Sequence, residues 1–417
     1  MIRHLVLKGI SVNGKLTRKI KGALLLGLGI LMSTSFVSAG TLEQAKRIHD
    51  RIAGVPPSES VLLEMKEALD AGAGGGVDAA MIAMENDNFY DTTLKNWVAP
   101  WTNREINVFV PFNDYIATVV GIVRDEIDFR QVLYGDIIYV GQGVTPGYSV
   151  ASNAHYEAIE SSGAHLQDVL VQQLQSTTTG LPPEATAGVV TTRAAAKSFF
   201  IAGTNRANFR FTLLNHLCMD LEQVHDITRV PDRIRQDVSR SPGGDARVFL
   251  NNCIGCHNGM DPMAQAFAYY NYDYDPETDL TGENGQIAYN SEGEIDEETG
   301  TRVQAKYHFN SATFPQGFVT PDDSWDNYWR EGINKNLGWD ESLPGGGSGA
   351  KTMLQELAHS QAFAQCQVKK VFKNVCLRDP GNTEDRAQVD SMLSAFTGGG
   401  YNLKTVFAQS ADYCKGE

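Results

Sequence analysis

Five residues constrain this chain more than any others: Cys253-Ile254-Gly255-Cys256-His257, a CxxCH run. Two cysteines separated by two residues lie about one helical turn apart, a separation that suits the two vinyl groups of a porphyrin. The histidine that follows can then turn its imidazole toward a central iron. The run therefore predicts a helix bearing one covalent c-type haem, with Cys253 and Cys256 as the thioether donors and His257 as the proximal ligand. A thiol redox pair or half of a zinc site uses the same CxxC spacing. The sequence has no second CxxC to complete a zinc cage, and no thioredoxin-like pattern surrounds the motif.

The start of the chain reads as an export signal. Arg3, Lys8, Lys15, Arg18, Lys19 and Lys21 form a basic n-region, residues 23–36 are apolar, and Val37-Ser38-Ala39 before Gly40 fits a small-residue cleavage site. Residues 1–39 are thus expected to be a signal peptide, and the mature protein to be periplasmic or secreted. An uncleaved anchor is the alternative, because the apolar run approaches the length of a short span. With the signal removed, no stable membrane span is expected. Loss of its six basic residues takes the formal charge from −15 to about −21. Such an acidic surface disfavours nucleic acid and suits a basic redox protein partner, although solubility alone also accounts for it.

Four cysteines remain after the motif: Cys218, Cys366, Cys376 and Cys414. In an oxidising compartment an even number predicts two disulfides, and four cysteines allow three pairings. Joining Cys376 to Cys414 would tie the last helix to its neighbour. Cys218 with Cys366 would then clip the helix before the CxxCH segment to one after it.

The periodicities are mostly helical and give a mainly α fold class in three parts. Residues 40–205 read as an N-terminal helical domain, 206–343 as a haem c module with an irregular aromatic-rich insertion, and 350–417 as a C-terminal helical domain. Thr41 is placed to cap a helix over 42–53, Ser58 one through residue 69, and Asp245 the helix that presents the motif. Residues 113–126 show helical apolar spacing, and 137–140 form a short strand-like run. Residues 273–301 read as an exposed acidic loop; Asp273, Asp275, Glu277 and Asp279 alternate, but an EF-hand needs a glycine and a terminal glutamate at other positions. The glycine-rich 344–349 reads as a linker, followed by one helix over 351–375 and two more.

The runs His216-Leu217-Cys218, Cys253 through Met263 with its His257-Asn258-Gly259-Met260-Asp261-Pro262 portion, and Tyr270-Asn271-Tyr272-Asp273 resemble the haem module of planctomycete-type cytochrome c proteins. That family shows CxxCHxxMDP followed by an aromatic-rich stretch ending in aspartate. Residues 128–136 with Ile138-Tyr139-Val140 look like its preceding helical domain. Residues 363–372, Asp385 and Tyr401-Asn402-Leu403 are similar to its C-terminal helical domain. The resemblance spans most of the chain after residue 39. It implies a haem-bearing module flanked by helical domains of unknown function, and it favours pairing Cys218 with Cys366, which stand in matching motifs. The 273–339 stretch is longer than in the family, and Cys376 and Cys414 look like local additions.

The second axial ligand decides what such a haem does. Ligands on both sides suit electron transfer, whereas an open distal side admits peroxide, nitric oxide or oxygen. Met260 and Met263 follow His257 too closely to reach the opposite porphyrin face, so they are expected to pack beneath it. His308, between Tyr307 and Phe309, is the first candidate for the distal ligand, with Met353 or His359 as alternatives; His216 and His225 stand near the preceding helix. Electron transfer through a single haem is the expected function. The alternatives are a peroxidase-like haem enzyme or gas binder with an open distal site, and a partner- or polymer-binding protein with an auxiliary haem. The last is suggested by a chain far larger than the ~100 residues of one small domain. No serine nucleophile elbow, phosphate-binding loop or HExxH motif is present, and no catalytic residue is assigned.

Overall fold

The computed structural model describes residues 40–308 and 314–416. The expected signal peptide and Phe309 lie outside these residues. Helix accounts for 52% of the described residues and strand for 7%, so the fold is mainly α.

Helix α1 (Thr41–Ile52) buries Ala45, Ile48, His49 and Ile52, the i, i+3, i+4, i+7 spacing of one apolar face. Its N-cap is Gly40 rather than Thr41, and no side chain closes that end. Ser58 Oγ accepts from the Val61 amide and starts α2 (Glu59–Asp70) as expected. After α3 (Gly75–Met84), Asn113 caps α4 (Asp114–Arg124), whose residues are almost all buried. Strand β1 (Ile138–Gly141) pairs antiparallel with β2 (Leu170–Gln173). Only Leu170 of β2 is fully buried, which is why no alternation announced that strand.

Helix α5 (Arg206–Thr212) runs through a π turn to Cys218, which has φ +56°. Helix α6 (Ile254–Ala264) carries the end of the CxxCH motif. Strands β3 (Tyr270–Asp273) and β4 (Gln286–Tyr289) form an antiparallel hairpin, so much of the acidic stretch is the loop between paired strands. Two further sequence expectations need correction. The glycine-rich linker contains β6 (Gly346–Ser348), paired with β5 (Ser324–Asp326), because Gly347 lets the backbone approach the Trp325 indole, where a Cβ would stand 3.3 Å from Nε1. The single helix expected over 351–375 is two, α7 (Ala350–Ala358) and α8 (Gln361–Cys376): Ser360 Oγ accepts from the Phe363 amide and begins a new helix. Helices α9 (Thr383–Gly398) and α10 (Leu403–Tyr413) complete the order.

One apolar core runs through all three sequence segments, taking in Met65 and Ile116, Met263 and Trp329, and Phe363 and Phe407. Phe407 of α10 meets Phe89 edge-on, with ring centroids 5.3 Å apart, so the last helix packs against the first of the three segments. Disulfides join Cys218 to Cys366 and Cys376 to Cys414, with Cα separations of 5.3 and 5.5 Å. Among the described residues, no helix is long and apolar enough to cross a membrane.

Lys306 gives the fold a pH dependence. Its ammonium donates to the Phe200 carbonyl (2.7 Å) and to Asn271 Oδ1 (2.8 Å), and burial pushes its pKa down to about 7, with Asp273 partly opposing. The unfolded lysine titrates near ~10.4. Between those values the unfolded chain holds a proton that the folded chain lacks, so this residue's contribution to stability rises with pH across that window. Lys306→Met is expected to remove the rise. Urea midpoints of both proteins near pH ~6.5 and ~9.5 check it, and a wild type that gains nothing over the variant at the higher pH contradicts it.

Candidate functional site

Asp245 Oδ1 accepts from the Arg247 amide and opens the helical run toward the motif, as the sequence predicts. A π turn over Phe249–Cys253 leads into α6. The back of this helix is tightly held. Gly255 stands against the His225 ring and Gly259 against the Trp329 indole, and neither position has room for a Cβ. Asn258 Nδ2 donates to the Asp226 carbonyl (2.6 Å), and the Asp226 amide donates to the Gly255 carbonyl (2.9 Å). Because Gly255 lies two residues from both Cys253 and His257, roughly 200° around a helix, His225 packs on the side turned away from them.

Cys253 and Cys256 are half-buried and unpaired, while the four remaining cysteines are in disulfides. The Cys256 thiol donates to the Leu221 carbonyl (3.4 Å). Burial, with Glu222, Cys253 and Asp220 nearby, pushes its pKa up. Redox CxxC pairs depend on the opposite shift, toward thiolate. His257 is 21% exposed and turns Nδ1 to the Asp261 carboxylate, at 3.1 and 3.2 Å, while Nε2 makes no hydrogen bond among the described residues. Val248 and Leu250, in the turns leading to Cys253, are exposed.

Asp261 has no exposed side-chain surface. Arg206 of α5 grips it with a fork, Nε to Oδ1 at 2.6 Å and Nη2 to Oδ2 at 2.9 Å, and also donates to Asp237 at 2.5 and 2.9 Å. Arg235 stands 3.8 Å away, its guanidinium over the Tyr307 ring at 4.7 Å. Burial acts to raise the Asp261 pKa, but Arg206, His257 and Arg235 hold it well below the usual carboxylate range. Arg240, stacked on Phe249 at 4.9 Å, donates to the Val238 and Ile234 carbonyls and has no carboxylate partner among the described residues.

No family model, curated protein or solved structure matches this chain. The assignment of the site therefore rests on its chemistry.

Among the described residues, no three His, Cys, Asp or Glu side chains gather to hold a bare metal ion. A haem asks for less, because the porphyrin supplies the equatorial nitrogens, and the residues present fit it: two free thiols one turn apart and an imidazole with Nδ1 engaged and Nε2 free. Met260 and Met263 are buried in the core. His308 donates from Nε2 to the Thr320 carbonyl at 3.0 Å, so ligation through that nitrogen would first break this bond. Met353 is fully buried on α7, and His359 at the end of α7 donates from Nδ1 to the Gln355 carbonyl (2.8 Å). His216 is hydrogen-bonded to Tyr115 Oη (2.8 Å) beside Trp101 and Phe363; burial, with Lys370 nearby, holds it neutral. Sequence reasoning missed Asp261 as the partner of His257, although the i, i+4 spacing was readable. It also missed Arg206 and Arg235, which no local pattern connects to the motif.

Proposed function

We propose that this protein is an exported monohaem c-type cytochrome that passes electrons to and from a redox protein partner. The observation that carries this reading is the contrast among the six cysteines: four form disulfides, and the two left free stand beside a histidine oriented for ligation. Cys253 and Cys256 would form the thioethers, and His257 Nε2 would be the proximal ligand. Once bound, the haem supplies a one-electron ferric/ferrous couple. Exposed Val248 and Leu250 offer apolar surface beside the thiols, and Arg240 offers a guanidinium for an anionic group such as a propionate. The rigid backing by Gly255, Asn258 and Gly259 keeps the three donors in place, which limits the reorganisation that accompanies electron transfer. The resemblance to planctomycete-type cytochrome c proteins supports the same reading.

A second reading is a haem enzyme or gas binder with an open distal side. It is favoured by the other bonds of the expected distal residues: His308 to Thr320, His359 to Gln355, and Met353 within the core.

The visible spectrum of the exported, reduced protein separates the readings. A c-type spectrum unchanged by carbon monoxide is expected for the electron carrier. A prompt shift favours the open site, and absence of covalent haem in protein matured by a competent attachment system sinks both.

A further inference from the structure

Beneath His257 lies a set of two arginines and two aspartates, buried Arg235 and Asp261 with half-buried Arg206 and Asp237, whose formal charges sum to zero. Its field at a distance is therefore small. What reaches the neighbouring site directly is the hydrogen bond from His257 Nδ1 to Asp261. We propose, on the haem-bearing reading above, that Asp261 is a positioning residue that makes His257 a strong donor and so draws the haem potential down, with Arg206 limiting the effect.

The argument follows from the bonds. A carboxylate gripped by the Arg206 fork stays ionised, so it accepts from Nδ1–H and fixes the tautomer that leaves the Nε2 lone pair free. Pull on the Nδ1 proton raises electron density on the ring, and Nε2 becomes a better donor. A better donor favours the ferric over the ferrous state. Arg206 and Arg235 draw charge from the same carboxylate, and Asp237 in turn shares Arg206. The strength of the bond to His257 is thus set by how much of Asp261 the arginines leave to it. Arg235 has spare capacity, since its Nη2 is buried without a hydrogen-bond partner and its Nη1 donates to the Thr204 carbonyl (3.1 Å).

The test uses the full exported chain with attached haem, and two substitutions that each remove one negative charge. Asp261→Asn is expected to raise the midpoint potential and to widen the g-anisotropy of the ferric electron paramagnetic resonance spectrum, which reports donation by the axial imidazole and narrows as that ring gains imidazolate character. Asp237→Asn removes a charge bound to the same arginine without touching His257; it commits Arg206 more fully to Asp261, so the g-values should move the same way as in Asp261→Asn but by less. Should Asp261→Asn fail to fold, Arg206→Lys keeps the charge and loses the fork, so the g-values should move the opposite way to the direction expected for Asp261→Asn. Unchanged g-values in the folded variant overturn the proposal. The pyridine haemochrome of the wild type is read first: without covalent haem the underlying reading fails, whereas a normal haemochrome with unmoved g-values defeats the role of Asp261 alone.

Discussion

Exported in a cell with a haem-attachment system, the Cys253→Ala/Cys256→Ala variant is expected to carry no covalent haem, while wild-type chains retain theirs through a denaturing gel. Each single substitution leaves one thioether and should reduce the yield severalfold or more. The fold should survive. The helix is held from behind by Gly255 against His225, Gly259 against Trp329 and Asn258 on the Asp226 carbonyl, and neither thiol contributes to those contacts. Far-ultraviolet circular dichroism of the double variant should match the wild type, so a lost haem signal reports lost attachment and not lost structure. Alkylation gives the complementary reading. Wild-type protein from the same cells should show no free thiols under denaturing conditions, because four cysteines are in disulfides and the proposed attachment consumes Cys253 and Cys256. Two alkylatable thiols, or covalent haem on the double variant, would falsify the assignment.

Loss of the Cys218–Cys366 bridge should be the largest stability effect of any paired substitution in this chain. The bridge closes 148 residues of chain, against 38 for Cys376–Cys414. In the chain-entropy account, constraint of the unfolded state by loops of these sizes stabilises by roughly 5 and roughly 4 kcal/mol. Measured values commonly fall below such figures, so Cys218→Ala/Cys366→Ala is expected to cost about 3–5 kcal/mol, a large share of the ~5–15 kcal/mol of a typical domain. The consequence reaches the site. Cys218 closes the segment that begins with α5, and α5 supplies Arg206 to Asp261. Urea unfolding followed by circular dichroism measures the loss, and haem absorbance in the same titration shows whether the site loosens with the fold. A variant as stable as the wild type would mean that the bridge contributes little to either state.

The readable parts of this protein are those whose cause lies within a few residues. Ser58, Asn113 and Asp245 mark helix starts because a short polar side chain reaches an amide two or three residues on. The apolar spacing of α1 follows from 3.6 residues per turn. The same locality explains the errors. His359 and Ser360 lie in a sequence whose period continues across them, and the serine cap that divides α7 from α8 competes with helix propensity too closely for the pattern to decide. The segment 344–349 looks like a flexible linker by composition, yet it pairs with β5, where Gly347 lets the backbone lie close to the Trp325 indole.

At the site the division is sharper. On the proposed reading CxxCH names its own donors, since a covalent attachment needs two thiols at one spacing and an adjacent imidazole, and all three fall within five residues at the start of the helix. Even Asp261 was within reach, one turn beyond His257. Which groups hold Asp261 is another matter: Arg206 is 55 residues away in sequence, and Arg235 comes from a separate segment. No periodicity encodes that meeting, because an ion pair between distant segments forms only after the core of Met263, Trp329 and their neighbours has brought those segments together. On the proposed reading, the chemistry of attachment is written along one turn of helix, while the charges that would tune it are assembled by packing.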